Sequence, residues 1–385
     1  MTMLVARTSE YGQYSATKAP GVYVQDAFGE PHQAVFATGV PVFLGTMEHA
    51  RRAVGKGEEP KLQMLSLWSQ FGTYVGPQYK GCMLASAVKG FFANGGHWCY
   101  VVVLRDRSME SLDAGLLAIS RVNTLDLVCA PDLGGKDFIE QQQRVVDHCD
   151  EMGDRFAILD SRPEMPRDGA WEQWSCLGGR NAALYYPWVK VHGFNGELET
   201  VPPCGHVAGV YSRSDRGTGV HKAPANEALE GVVDLDRRLT SRDQDWLNPK
   251  GINCLRSFPG RGIRVWGART LSGQPDWMYV NVRRLFLTAA RWIDWNLLEM
   301  SFEPNDARLW SRIERKLGEY FTEQYRLGAL KGTRVEDAFY VKCDGETNPA
   351  ETRALGQVVT EIGLAPATPF EFVVVRLIRG ARGAV

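Results

Sequence analysis

Two aspartates stand where an open α/β enzyme would place its chemistry. Asp132 follows an apolar, β-branched run at residues 125–130, and Asp160 closes a second run at 155–160. Between the runs, residues 138–152 carry a helical pattern. Strand, helix and strand at this spacing build parallel neighbours. Both carboxylates then sit at the carboxyl edge of a sheet, where α/β folds bind ligands and metals. The chemistry they could serve is that of an α/β hydrolase or phosphatase. Aspartates also end strands for a plainer reason, because their short side chains cap the next turn or helix. Position alone does not assign catalysis.

No other constellation accompanies the pair. The seven histidines include no HExxH, and the eight cysteines form no CxxC. Cys204 and His206 lie two apart, which is half a metal pattern at most. Gly134-Gly135-Lys136 lacks the first glycine of a P-loop and runs into Asp137. Gly217-Thr218-Gly219 and Gly260-Arg261-Gly262 lack the third glycine of a dinucleotide fingerprint. There is no GxSxG elbow for a serine nucleophile. No catalytic residue, cofactor or metal is therefore expected beyond the aspartate reading. With 44 basic and 45 acidic residues, the net charge of −1 leaves no electrostatic footprint for nucleic acid and no polybasic membrane anchor. Nothing at the N-terminus reads as a secretory signal, so free thiols in a reducing compartment are expected.

The elements around these residues predict more than one packed unit, as 385 residues require. Strand patterns lie at 21–25 and 34–45, and helices at 62–71 and 79–92, the second stopped by Asn94-Gly95-Gly96. Strand and helix then alternate: 98–104, 108–119 with Ser108 as cap, 125–130, 138–152 and 155–160. Residues 201–245, rich in Pro, Gly and charge, read as long loops with little helix. Strands resume at 252–258 and 262–270. The apolar stretch 279–300 contains Arg283, Arg284, Arg291 and Asp294, too costly for a bilayer centre. Its polar members Asn281, Arg284, Thr288 and Arg291 step by three and four, one stripe on a buried helix. An amphipathic helix at 306–326, a strand at 337–343 and a helix at 351–362 follow. Past Pro366 and Pro369 comes a final β-forming run at 370–378, a strand that completes its own sheet or a neighbour's. The first 20 residues are polar except for Met3-Leu4-Val5-Ala6.

Several segments are familiar together. Pro20-Gly21-Val22-Tyr23-Val24 and Thr38-Gly39-Val40-Pro41-Val42-Phe43-Leu44-Gly45 resemble the opening of contractile tail sheath proteins. Val88-Lys89-Gly90-Phe91-Phe92-Ala93-Asn94-Gly95-Gly96, Val201-Pro202-Pro203 and Ala208-Gly209-Val210-Tyr211 continue the likeness. So do Gly219-Val220-His221-Lys222-Ala223-Pro224, Gly251-Ile252-Asn253 and Val265-Trp266-Gly267-Ala268-Arg269-Thr270. Tyr279-Val280-Asn281-Val282-Arg283-Arg284, Phe302-Glu303-Pro304-Asn305 and Glu361-Ile362-Gly363-Leu364-Ala365-Pro366 close it, in family order from about residue 20. Ala350 and Thr368 depart from the usual pattern.

The resemblance implies a mixed α/β and α+β sheath fold. It has a βαβ-type domain, a mixed α+β core domain and extended N- and C-terminal arms that add strands to neighbouring subunits. The implied divisions are an arm at 1–20, an N-terminal part at 21–95 and an α/β domain at 96–260 with loop-rich 201–245. A C-terminal core domain at 261–365 and a linker and strand at 366–385 complete them. The implied function has no active site: subunits stack helically as hexameric rings around an inner tube and contract to drive it through a target envelope. Implied partners are further copies, the inner tube protein, and baseplate and tail-terminator or cap proteins, with no nucleic acid and no membrane insertion. Assembly would occur in the bacterial cytoplasm, into a phage tail, a released particle or an intracellular contractile system. Strand exchange would use Met3, Leu4, Val5 and Ala6 at one end, and Phe370, Phe372, Val373, Val374, Val375 and Leu377 at the other. Glu351, Thr352, Arg353 and Gln357 would face the tube.

Overall fold

Short, almost wholly apolar runs form the centre of the molecule, because strands buried on both faces need side chains that are apolar in both directions. The computed structural model describes residues 37–47, 60–75, 81–369 and 371. Its first part runs β1 (Pro41–Thr46), β2 (Leu62–Leu65), α1 (Ser69–Val75), α2 (Met83–Ala93), β3 (Cys99–Leu104) and α3 (Met109–Ser120). Then come β4 (Leu127–Cys129), α4 (Phe138–Met152), β5 (Phe156–Asp160), α5 (Arg167–Ser175), β6 (Ala182–Tyr186), β7 (Val189–His192) and β8 (Leu198–Val201). Next are α6 (Cys204–Gly217), β9 (Glu227–Ala228), β10 (Val232–Leu235), α7 (Ser241–Leu247), β11 (Ile252–Phe258) and β12 (Gly262–Trp266). The C-terminal part holds α8 (Val280–Leu297), α9 (Ala307–Arg326), α10 (Val335–Ala338), β13 (Phe339–Lys342), α11 (Ala350–Ala354) and β14 (Glu361–Leu364).

The main sheet has nine strands in the order β2-β3-β1-β4-β5-β6-β11-β12-β9. Strands β3 through β11 in that order are parallel; β2 pairs antiparallel with β3 at one edge, and at the other β12 pairs antiparallel with β11 and β9 antiparallel with β12. Strand alternation sorts side chains to two faces: Phe43 joins one core, and Val42 and Leu44 the other. On the first face Leu84, Val88 and Phe91 of α2 pack with Val207, Val210 and Tyr211 of α6. On the second, Leu112, Leu116 and Ile119 of α3 pack with Val145, Val146 and Cys149 of α4. The result is three layers, helix on sheet on helix. The sheet takes β1 and β2 from residues 21–95 and β12 from beyond residue 260, so it runs across both of those expected divisions.

A third core belongs to the C-terminal lobe. Leu285 and Ala289 of α8 meet Leu309, Ile313, Leu317 and Phe321 of α9, with the β13–β14 hairpin against them. Val280 and Leu287 of the same α8 belong to the sheet's core. One helix thus serves both lobes, and among the described residues none is long and apolar enough to cross a membrane.

Four sequence expectations need correction. The 201–245 segment is not mainly loop: it holds α6, β9, β10 and α7. Helix α6 is buried on nearly every side, so it has no polar face to give a helical period. A Cβ on its Gly205 would lie 2.1 Å from the Ala87 carbonyl oxygen, and one on Gly209 2.5 Å from that of Phe91. The glycines that suggested loop are what let α6 and α2 touch backbone to backbone. Residues 62–71 begin as strand β2, paired antiparallel with β3, before α1 starts at Ser69. The 337–343 strand is narrower, with α10 reaching Ala338 and β13 covering 339–342. The 351–362 helix stops at Ala354, and Glu361–Leu364 is strand β14 instead. Gly356, left-handed at φ 69°, marks that stop. The expected strand at 21–25, the first part of 34–45 and of 79–92, and the final run except Glu371 lie outside the described residues.

Candidate functional site

The carboxyl edge of the sheet tests the enzyme expectation. Strands β4 and β5 are neighbours, so Asp132 and Asp160 do reach that edge together. Each is already engaged. Asp132 accepts the Thr46 N–H at 2.9 Å and faces the Arg107 guanidinium at 3.3 Å, tying the end of β1 to the turn after β4. Asp160 accepts the Cys204 N–H at 2.8 Å, where it caps the first turn of α6. Burial pushes both carboxyls up, Asp160 to about 7, with the Cys204 hydrogen bond pulling the other way. A crevice of about 290 Å³ opens beside Asp132, bounded by Arg107, Phe138, Arg162 and Trp188. Asp160 is not in its wall, and among the described residues the wall carries no Ser, Thr, Cys, His or Lys. The two aspartates therefore do not converge on a reacting position. Cys204 and His206 are both buried in α6, and burial drives His206 down to about 4. Among the described residues no group of three or more His, Cys, Asp or Glu is placed to hold a metal ion.

The polar stripe of α8 performs a different task. Asn281 donates to the carbonyls of His221 at 2.8 Å and Ala367 at 3.2 Å. Arg284 donates to both oxygens of Asp215 at 2.9 and 2.6 Å and to Asp126 at 2.9 Å. Asp126 also accepts the N–H groups of Gly39 and Val40 at 3.0 and 2.6 Å, just before β1. Arg291 donates to the Asn123 carbonyl at 3.2 Å. The Arg284 guanidinium also lies 4.8 Å from the centre of the Tyr211 ring. A buried cation between two buried carboxylates locks α8 to the start of β1, the start of β4 and the end of α6. The stripe read from the sequence is thus a register pin, a use that buried charge is suited to.

The C-terminal lobe presents the expected tube-facing segment. Glu351, Thr352 and Arg353 lie in α11, and Gln357 in the loop beyond it. Leu355 is 74% exposed, and Val358 and Val359 also face solvent. The loop is held: Asn348 accepts the Val359 N–H at 2.7 Å and donates to its carbonyl at 2.9 Å. Asn305 donates to the Gln357 carbonyl at 2.8 Å and accepts the Trp310 indole N–H at 2.8 Å. The Arg353 guanidinium stands 6.0 Å above the Trp310 ring. Nearby in sequence to Asn305, Phe302 is fully exposed and left-handed at φ 69°. That conformation is costly for a bulky residue and concentrates at functional surfaces.

Against known proteins, residues 125–271 match the phage tail sheath protein central domain and residues 272–378 the phage tail sheath C-terminal domain. The helical sheath of the anti-feeding prophage in its contracted state is 31% identical, with a TM-score of 0.76 over 94% of this chain and 100% of that one. The chain belongs to the phage tail sheath family. A chain in the six-fold symmetrised baseplate structure of the same prophage is 30% identical, with a TM-score of 0.75 over 95% of this chain and 100% of that one. The tail sheath protein of Salmonella phage ViI is 29% identical over 184 residues, 46% of this chain. This chain spans 28% of the length of that curated relative. The mixed α/β and α+β architecture expected for a sheath is the one observed.

The remaining expected site residues, Met3, Leu4, Val5 and Ala6 at one end and Phe370, Phe372, Val373, Val374, Val375 and Leu377 at the other, lie outside the described residues. Sequence reading picked polar members of the segment around α11, Glu351, Thr352, Arg353 and Gln357, and did not single out the apolar ones beside them. Leu355, Val358 and Val359 of that segment, and Phe302, are exposed apolar side chains. Gly356, followed by Gln357 and two β-branched residues, was the available sign that these positions leave the helix.

Proposed function

We propose that this chain is a structural sheath subunit that stacks as hexameric rings, helically, around an inner tube and contracts to drive that tube through a target envelope. The observation that carries this reading is its likeness to a sheath subunit solved in the contracted helical state, end to end on that chain at 31% identity. Its work would be conformational, stored as a difference between two packings, with no catalytic step. The structural duties of Asp132 and Asp160 fit this better than hydrolysis. Its partners would be further copies, the inner tube protein, baseplate proteins and a tail-terminator or cap protein. Assembly would take place in the bacterial cytoplasm before the particle is used.

Strand exchange through residues 3–6 and 370–377 would link neighbouring subunits while the bodies turn. The segment around α11 would hold the tube through Glu351, Thr352, Arg353 and Gln357, with Leu355 and Val358 adding apolar contact. Individually exposed charge contacts are worth roughly 0–1 kcal/mol, so they release easily, while repetition around and along the rings makes their sum large. Electron microscopy and sedimentation of the purified full chain test the reading. Rings or tubes are expected, and a small oligomer under every assembly condition would refute it. With the tube protein present, L355D combined with V358D should abolish sheath–tube co-sedimentation and leave the subunit folded. Unchanged co-sedimentation would remove this segment from the tube contact.

A further inference from the structure

Three of the sequence segments that resemble the family have no role in the reading above: the one ending at Asn253, the one containing Arg269, and the one containing Asn281. The structure brings them together on one strap, the last described stretch of chain, residues 365–369 and Glu371. The Ala365 N–H donates to the Ala338 carbonyl at 2.9 Å, and the Lys331 N–H to the Ala365 carbonyl at 2.7 Å. The Ala367 N–H donates to the Ala329 carbonyl at 2.9 Å, and Asn281 reaches the Ala367 carbonyl. Pro366 and Pro369 carry no N–H, and the bonds on either side of Pro366 use both the N–H and the carbonyl of Ala365 and of Ala367. The strap then ends on Glu371, the one charged residue between Pro366 and Arg376.

Glu371 is taken up by Arg269 in a two-point pair. Arg269 Nε lies 3.0 Å from Oε1, a terminal guanidinium nitrogen closes on Oε2, and Asn248 donates to Oε2 at 3.3 Å. Both side chains are largely buried, 13% and 16% exposed. The socket is braced from behind. Buried Asn253 accepts the Arg269 N–H at 2.7 Å and donates to the Arg269 carbonyl at 2.7 Å, so the arginine's backbone is held from both sides. A forked pair of this kind fixes direction as well as distance.

We propose that Asn253, Arg269 and Glu371 form a clasp that sets where, and in which direction, the C-terminal segment leaves the body. Resting on the sheath reading, the clasp makes Arg269 and Glu371 positioning residues for subunit linkage: the segment reaches a neighbour from a fixed root. The single carboxylate at the head of the β-forming run is thereby explained, since it is the residue that stays at home.

The experiment uses the full-length chain and the variants R269E, E371R, the double swap R269E/E371R, and the milder E371Q. Two readouts are taken: hydrogen exchange of strap peptides in the free subunit, and the fraction of chain in sedimentable assemblies. Each single variant should speed exchange across 365–371 without changing β11, and lower assembly by roughly tenfold or more, a coupling of ordinary size for contacting residues. The double swap should recover both. Unchanged strap exchange in E371Q overturns the clasp, and so does a double swap as defective as the single variants. I313V, a core change in α9, serves as the control for general destabilisation. If it lowers assembly as much as E371Q at a matched melting temperature, the positioning role falls. If the unmodified chain never assembles, the sheath reading fails, and the exchange readout still decides the clasp.

Discussion

Replacing Arg284 with Met should show how much the α8 pin contributes. The methionine keeps most of the side chain's length but withdraws three hydrogen bonds at 2.6–2.9 Å from Asp126 and Asp215, whose side chains are 6% and 2% exposed. Removing one partner leaves two buried carboxylates facing each other, and breaking a buried pair in this way costs about 3–5 kcal/mol. For a chain of 385 residues that is a loss of roughly 4–6 °C in Tm. The loss should depend on pH. Burial already holds the Asp215 carboxyl above its ordinary 3.8, against the pull of Arg284. A carboxyl whose folded pKa is raised contributes stability that is complete below its unfolded value and is lost as pH rises through its folded value. Without Arg284 that folded value climbs further, so the deficit of R284M should be small near pH 5 and largest near pH 8. Urea unfolding of the unassembled subunit at both pH values measures it, and R284M/D215N should recover at least half of the loss at pH 8. A deficit below about 1 kcal/mol at pH 8, or one equal at the two pH values, would refute the account of the pin.

Asp160, held near 7 by burial, should make wild-type stability fall between about pH 4 and pH 7, the interval from its ordinary value to its folded one. D160N keeps an acceptor for the Cys204 N–H, and its unfolding midpoint against pH should be flatter across that interval; an unchanged slope would show the aspartate is not its source. G205A and G209A should each cost about 1–3 kcal/mol or more by driving α6 off α2, whereas G217A, with nothing within 4 Å of the new Cβ, should be neutral or slightly stabilising. Thermal melts of the three variants check this, and equal effects would contradict the backbone-to-backbone contact.

Much of the central sheet was legible before any coordinates, because its parallel strands are short apolar runs separated by helices with one apolar face. Ser108 at the start of α3 and Asn94 at the end of α2 were legible for the same local reason, a side chain or backbone group meeting the helix end. The stripe Asn281, Arg284, Arg291 could be read as one helix face. Its partners could not, since Asp126 and Asp215 lie 158 and 69 residues away in the chain. Helix α6 was hidden because complete burial erases the amphipathic period, and its glycines mean loop until a second helix is seen lying against them. Asp132 and Asp160 illustrate the same division at the candidate site. Sequence alone placed them at the carboxyl ends of adjacent strands, because strand and helix lengths are local properties. Only the tertiary structure decided what they do there, since the Thr46 and Cys204 N–H groups that occupy them arrive from other parts of the chain. The apolar tip at Leu355 and Val358 and the meeting of Arg269 with Glu371 were likewise decided by packing. Residue type and spacing determine which elements form, and distant contacts determine which side chains are left for a partner.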